Sequence, residues 1–473
     1  MQETIHRRSL LFRGLAIADL ALTQSFVLHA SPAITVENIT LLYSVKVARV
    51  EVPVSTDEVG RIVKSWPGQI AVGGGRYSMG GQIAVEGGLH IDMRKMGSLI
   101  WLKPESQSVR VQAGMRWRDL QDHLDPLGFS VQTMQSYSNF TVGGSVSVNA
   151  HGRYLGHGPV GHSVRALQLV LSSGEVIEVS RQKNTDFFRA ALGGYGAIGV
   201  ITEVELFVDR NSLIERSVAQ IKVNDYPGYF ERKIKSDTKC VLHNADLLPP
   251  MFDTATAVNW LITDKAPTAS ERLVPRGKSY ELEKNIIWAL TELPNGDELQ
   301  RKVVRPALLA KSAVVWRNYE ASLDVASLEP RSRVSSTYVL QEYFIPVRHF
   351  AGFVDEMAKI IRRYEPHILN ISVRHSPSDQ DSVMAWAKEE VFSFVVYYKQ
   401  GMLASQLDAV GVWTRELISA ALKYAGTYYL PYQRHATRAQ FDAAYPQKEI
   451  FKKIKAKADP YGKLMNELWA QYL

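Results

Sequence analysis

Three glycine clusters are the segments of this chain best suited to chemistry, and all lie between Gly68 and Gly199. The first, Gly73-Gly74-Gly75-Arg76-Tyr77-Ser78-Met79-Gly80-Gly81, follows the apolar run Gln69–Val72. Consecutive glycines can adopt positive φ, so their amides can turn together toward an anion such as a diphosphate. The same run would also serve as a plain turn. The second, Thr141 to Gly152 (TVGGSVSVNAHG), alternates small residues along a stretch too apolar for a free loop. Close backbone approach to a flat ring system would account for it, and so would tight packing of a helix on a sheet. The third, Gly193-Gly194-Tyr195-Gly196-Ala197-Ile198-Gly199, contains a literal G-x-G-x-x-G. A dinucleotide fingerprint must follow a strand and open a helix. This one follows the helical stretch Asp186–Leu192 and runs into the alternating Val200–Leu206, so the Rossmann reading fails on context.

The elements that position these clusters are short. Strand-like runs occupy Ile70–Val72, Leu89–Asp92, Val109–Gln112 and Ala166–Leu171, and the last forms a hairpin with Val176–Val179 across Gly174. Helical pieces lie at Ser55–Ser65, Arg116–Leu127 and Asp186–Leu192. Beyond Asp209 the glycine density falls. Phe350, Phe353, Val354, Met357, Ile360 and Ile361 recur at helical spacing within Arg348–Tyr364, between strand-like runs at Thr337–Phe344 and Val391–Tyr398. After about Ala425 the texture shifts again. The pattern predicts an α+β chain with an N-terminal segment (1–44), a first domain (45–208), an inserted domain (209–424) and a return segment (425–473).

Bulk properties narrow the function classes. At 473 residues the chain exceeds one ordinary core. The 55 basic and 48 acidic residues leave only a mild positive excess, so no nucleic-acid partner is expected. The densest basic run, Lys448, Lys452, Lys453, Lys455, Lys457 and Lys463, reads as a solvated helix face. A single cysteine, Cys240, excludes an internal disulfide and a cysteine-rich metal site. Arg7-Arg8 opens an apolar stretch that runs to Ala30, in the manner of a twin-arginine signal, though Arg13 and Asp19 interrupt it. The protein is therefore expected in the cytoplasm or exported to the periplasm, without stable membrane insertion.

Together the clusters resemble the FAD-binding domain of the vanillyl-alcohol oxidase superfamily. That family has a glycine loop, then T-V-G-G-(x)6-H-G, then G-G-x-G-x-x-G-I/V-I before a strand, and each piece occurs here in order. Asp459-Pro460-Tyr461-Gly462-Lys463-Leu464-Met465-Asn466 is similar to its closing D-P-x-G-x-F-x-N. The resemblance covers residues 45–208 and 425–473. It is nearest the decaprenylphosphoryl-ribose oxidase and aldonolactone/alditol oxidase branches. It implies a two-subdomain PCMH-type FAD-binding domain plus an inserted α+β cap domain. By that resemblance Gly73, Gly74, Gly75, Arg76, Tyr77, Ser78 and Met79 would cradle the diphosphate. Ser136, Thr141, Val142, Gly143, Gly144, Val148 and His151 would line the ring and ribityl chain, Ile201 the adenine side, and Tyr429 the ring from the return segment. Many lactone oxidases carry, in the first loop, a histidine bonded covalently to the flavin. Tyr77 stands there, so FAD is expected to be held non-covalently. Their Glu-x-Arg pair aligns with Ser372-Val373-Arg374, where the arginine survives and the carboxylate does not.

Hydride transfer to flavin N5 needs the substrate C–H beside the ring and a group that accepts the hydroxyl proton. His151, Tyr432 and His435 are the candidate bases. Arg374, Arg434 or Lys399 could stabilise negative charge. No metal set is expected, because His157 and His162 follow His151 at irregular spacing without a carboxylate or cysteine partner set. The expected reaction is FAD-dependent oxidation of a C–OH group on a sugar, polyol or related small hydroxylated substrate, with oxygen or a quinone as acceptor. Reduction of a C=C bond, as in the sterol-reductase branch, and flavin binding without turnover stay open as alternatives.

Overall fold

The computed structural model describes residues 34–310 and 312–473, so the candidate export signal lies outside the described residues. The described chain is α+β. A hairpin, β1 (Ile34–Glu37) with β2 (Ser44–Val47), precedes a small parallel sheet. That sheet joins β3 (Arg49–Glu51), β4 (Ile70–Gly73) and β5 (Leu89–Asp92) in the order β3-β5-β4. Parallel strands need a crossover, and α1 (Thr56–Ser65) supplies it. Ser55 caps α1 by accepting the Glu58 N–H at 3.3 Å. Val59 and Val63 of the helix bury against Ile70, Leu89 and Ile91.

A six-stranded antiparallel sheet follows. It contains β6 (Leu99–Lys103), β7 (Ser108–Gln112), β8 (Phe129–Val131), β9 (Val164–Val170), β10 (Val176–Ser180) and β11 (Val200–Arg210). Its order is β10-β9-β11-β7-β6, with β8 on the far end of β11. The hairpin turn falls at Gly174, whose φ is +85°. Helices α2 (Trp117–Leu124), α3 (Val142–Ser147) and α4 (Thr185–Ala191) connect the strands. The third glycine cluster lies after α4 and before β11, the wrong context for a dinucleotide fingerprint.

The remainder forms an eight-stranded antiparallel sheet in the order β15-β12-β14-β13-β17-β18-β16-β19. Its strands are β12 (Leu213–Lys222), β13 (Cys240–Leu247), β14 (Thr254–Ile262), β15 (Val314–Trp316), β16 (Ser336–Pro346), β17 (His367–Ser376), β18 (Val391–Gly401) and β19 (Thr427–Tyr428). Helices α5 (Glu281–Glu292), α6 (Phe350–Tyr364) and α7 (Ala404–Lys423) accompany it. The helix expected from Arg348 begins at Phe350, after a 3-10 turn at Val347–His349, and buries the six apolar residues that announced it. Register places Glu342 opposite Val395, and Val395 opposite Ser372, so these side chains share one face. Arg374, two residues beyond Ser372, points the same way.

The last residues return to the first sheet. Ile70 N–H donates to Lys463 O at 2.7 Å and Met465 N–H donates to Ile70 O at 3.0 Å, extending β4 by a parallel neighbour. Asn466 Nδ2 and Trp469 Nε1 donate to Tyr195 O and Gly194 O, tying down the third glycine cluster. Helix α8 (Lys448–Ala458) carries five of the six lysines of the run, which is not simply a solvated face. Lys453 and Lys457 are exposed, whereas Lys455 is buried and its Nζ donates to Asp459 Oδ2 at 2.7 Å and Leu464 O at 2.8 Å. Among the described residues no helix is long and apolar enough to cross a membrane. Because Asp459 is buried as well, Lys455→Ala strands a carboxylate without its cation and should lower the unfolding free energy by about 3–5 kcal/mol. Lys457→Ala should change it by less than about 0.5 kcal/mol. Urea midpoints of the two variants check the difference.

Candidate active site

The glycine clusters and one face of the eight-stranded sheet surround a cleft of about 1670 Å³, mouth included. Two glycines are demanded by packing. A Cβ on Gly74 would stand 2.2 Å from Thr141 Oγ1, and one on Gly143 would stand 2.5 Å from Ala113 Cβ. Thr141 in turn caps α3 by accepting the Gly144 N–H at 3.3 Å. The first two clusters therefore lock into each other and leave bare backbone facing the cleft. Arg76 takes φ +64° and donates Nη2 to Asp92 Oδ2 at 3.0 Å, which fixes the loop from below. Arg76 Nε and Ser136 Oγ are buried with no hydrogen-bond partner, and both residues line the cleft. A bare-backbone cradle with unpaired buried donors fits a bound FAD.

The cleft wall includes Gly74, Gly75, Arg76, Tyr77, Ser78, Met79, Ser136, Thr141, Gly143, Gly144, Val148, His151, Ile201, Tyr429, Tyr432 and Arg374. Three sequence candidates stand away from it. Gly73 lies behind the loop, where a Cβ would meet the His90 ring at 2.5 Å. Val142 is fully buried in the core. His435 packs against α7 beside Gly411 and Arg415, and burial, reinforced by the Arg415 charge, pushes its pKa down to about 4. Lys399 pairs with Glu292, and Arg434 donates to Glu467 O, both outside the cleft wall. His157 and His162 face Asp209 and Asp379, and among the described residues no cluster of three metal-ligating side chains forms.

The polar centre of the cleft is a residue that the sequence motifs did not single out. Glu342, buried on β16, places Oε1 2.5 Å from His151 Nε2 and accepts the Tyr432 hydroxyl on Oε2 at 3.3 Å. The carboxylate missing beside Arg374 on β17 is thus supplied two strands away, across β18. The signal was present in the sequence: Glu342 is the one charged residue of β16, set between the apolar runs Tyr338–Leu340 and Tyr343–Ile345. Arg374 is half-buried, its Nε fully so, and it makes no hydrogen bond or ion pair with any described residue. Burial pushes its pKa down, and the nearby Glu342 charge opposes that shift. Burial first, and the Glu342 charge second, raise the Tyr432 phenol well above its ordinary value.

His151 is held by its surroundings. Its ring centroid lies 4.9 Å from Trp386 and 5.5 Å from Phe344. Two residues earlier, Asn149 adopts φ +48° and is fully buried. Its Nδ2 donates to Asp379 Oδ2 at 2.9 Å, its Oδ1 accepts the Gly161 N–H, and its carbonyl accepts Trp386 Nε1 at 3.0 Å. Tyr429 donates to Val148 O at 2.8 Å, joining the return segment to the second cluster. Tyr77 stacks on Phe140, with centroids 4.1 Å apart.

Comparison with known proteins gives the following similarities. A family model described as an FAD binding domain matches residues 47–180. The mouse L-gulonolactone oxidase is 24% identical over 434 residues, covering 88% of this chain and 92% of the relative. Rice L-galactono-1,4-lactone dehydrogenase 2 is 33% identical over 148 residues, 30% of this chain and 25% of the relative. A putative D-arabinono-1,4-lactone oxidase of Neurospora crassa is 41% identical over 96 residues, 20% of this chain and 17% of the relative.

The packing around α3 makes a direct prediction for the cofactor. Gly143→Ala forces α3 away from Ala113 and should weaken FAD retention at least tenfold, read as flavin absorbance per protein after gel filtration. His435→Gln, remote from the cleft, should retain flavin as the unmodified protein does.

Proposed function

We propose that this chain, an FAD-dependent oxidoreductase with a PCMH-type FAD-binding domain, oxidises a C–OH group of a small hydroxylated substrate by hydride transfer. The observation that carries the reading is the buried Glu342–His151 pair facing the glycine cradle, with an unpaired Arg374 beside it. FAD supplies the two-electron acceptor. The chain supplies the rest. Residues 45–208 and 425–473 hold the cofactor, and 209–424 shape the substrate side. The substrate hydroxyl lies at Glu342, whose carboxylate receives the proton at Oε2 while His151 holds Oε1. Tyr432 donates to the same carboxylate and orients it. Arg374 stabilises the negative charge that develops on the substrate oxygen, in a site where burial strengthens the interaction. The names of the lactone oxidase and dehydrogenase relatives support a sugar lactone or polyol as the substrate class.

FAD is held without a covalent bond in this reading. Tyr77 occupies the first-loop position and is stacked on Phe140, and the one cysteine, Cys240, lies on β13 away from the cleft wall. Acid precipitation should leave a white pellet and a yellow supernatant; a yellow pellet would refute non-covalent binding.

The reaction itself is tested by anaerobic addition of L-gulono-1,4-lactone and simple polyols to the yellow protein. Bleaching of the flavin bands is the expected result, whereas bleaching by NADPH alone would replace oxidation with reductase chemistry. Glu342→Gln keeps the shape of the site but removes the proton acceptor. It should retain FAD and slow the bleaching by about 10²–10⁴-fold; an unchanged rate would remove Glu342 from the mechanism.

A further inference from the structure

The face of the eight-stranded sheet that walls the cleft changes character along its strands. β16 presents Glu342, Leu340 and Tyr338 on one face, two residues apart, and all three line the cleft. β18 sets Val395 beside Glu342 and Tyr397 beside Leu340. Glu342 to Tyr338 is four residues of strand, roughly 13 Å. Leu328 lines the same stretch from the segment before β16.

The tyrosines here offer surface and not hydrogen bonds. Tyr338 Oη lies 2.7 Å from Thr291 Oγ1, and Tyr397 Oη donates to Leu328 O at 3.0 Å. At the far end Glu329 and Arg333 satisfy each other at 2.8 Å, and Arg333 also donates to Tyr338 O. Among the described residues, the sheet-side wall between the Glu342–Arg374 end and this pair is therefore apolar in effect. A chain of hydroxyls laid there would give up water without regaining hydrogen bonds. An alkyl or aryl group would gain by leaving water.

We infer that the substrate carries an apolar body attached to its oxidised hydroxyl-bearing head, with the head at Glu342 and Arg374 and the body along Leu340, Tyr397 and Tyr338. The inference rests on the assignment of this site to C–OH oxidation and adds the shape of what is oxidised. A free polyol or bare sugar lactone fills the polar end alone. The glycine cradle meets this face where Leu340 N–H donates to Met79 Sδ at 3.4 Å, and the cradle, with Val72, Met93, Ala113 and Ile201, is left to the cofactor.

The FAD-loaded protein titrated calorimetrically with 1,2-propanediol and 1,2-octanediol tests this. Both present the same vicinal diol head, and only the second has a body. Binding of 1,2-octanediol at least tenfold tighter is expected, and Leu340→Asp should bring its affinity to within twofold of that of 1,2-propanediol. Leu340→Ala, a milder change, should fall between the two, and retained flavin bands show that each variant is folded. Equal affinities for the two diols would overturn the inference. So would tight octanediol binding that ignores both Leu340 variants, because it would place the alkyl chain elsewhere. Absence of anaerobic bleaching by any hydroxylated compound would strike the C–OH reading instead, and the affinity ratio remains readable either way.

Discussion

The contact between Glu342 and His151 is the constraint on which the rest of the site depends. Each group belongs to a different part of the structure, Glu342 to the eight-stranded sheet and His151 to the tail of the second glycine cluster. A carboxylate taken out of water is tolerable only with partners at its oxygens, and both oxygens have one here. The sheet must therefore sit where β16 can reach the cluster, and the cluster must end where a histidine can meet it. Asn149 in its left-handed conformation, fixed by Asp379 and Trp386, sets that end point. Arg374 stands beside this pair as a cation with no bond of its own, and His151 Nδ1 is buried without a partner, an arrangement that suits a ligand better than it suits the folded protein alone.

The glycines act through what surrounds them as much as through their own freedom. Gly74 is bare because Thr141 occupies the space a Cβ would need, and Thr141 is there because it caps α3. Gly143 is bare because α3 rests on Ala113 at the end of β7. Neither residue needs a special φ; both need absence of bulk. The two explanations for the second cluster, approach to a ring and packing of a helix on a sheet, thus describe the two sides of one short helix.

Much of this was legible in the sequence. The alternation in Val200–Leu206, the glycine turn at Gly174 and the helical spacing from Phe350 to Ile361 all encode local structure, and local periodicity survives folding. The close approach of the first two clusters was legible from their glycines, because a Cβ at Gly74 or Gly143 would collide with a neighbour. What the sequence hid was tertiary. His435 follows Tyr432 by three residues and looks as available, but the segment turns and buries it against α7. Glu342 is more than thirty residues before Arg374, and only the pairing of β16, β18 and β17 places them on one face. Lys455 sits in a run of lysines that reads as solvent-facing, yet the helix turns it inward to meet Asp459. In each case the deciding neighbour lies on another element.

The strand partner of β4 has a consequence for the birth of the protein. Ile70 finds Leu464 only after 394 further residues, the difference between the two positions, have been made. At roughly 5–20 residues per second that interval is about 20–80 s. Throughout it the parallel sheet beneath the first glycine cluster shows an unpaired edge to solvent. An open edge is a template for other strands, so the emerging chain is exposed to chaperones and to its own copies until Leu464 arrives. The sheet that carries the first glycine loop is thus completed only by a residue made long after it.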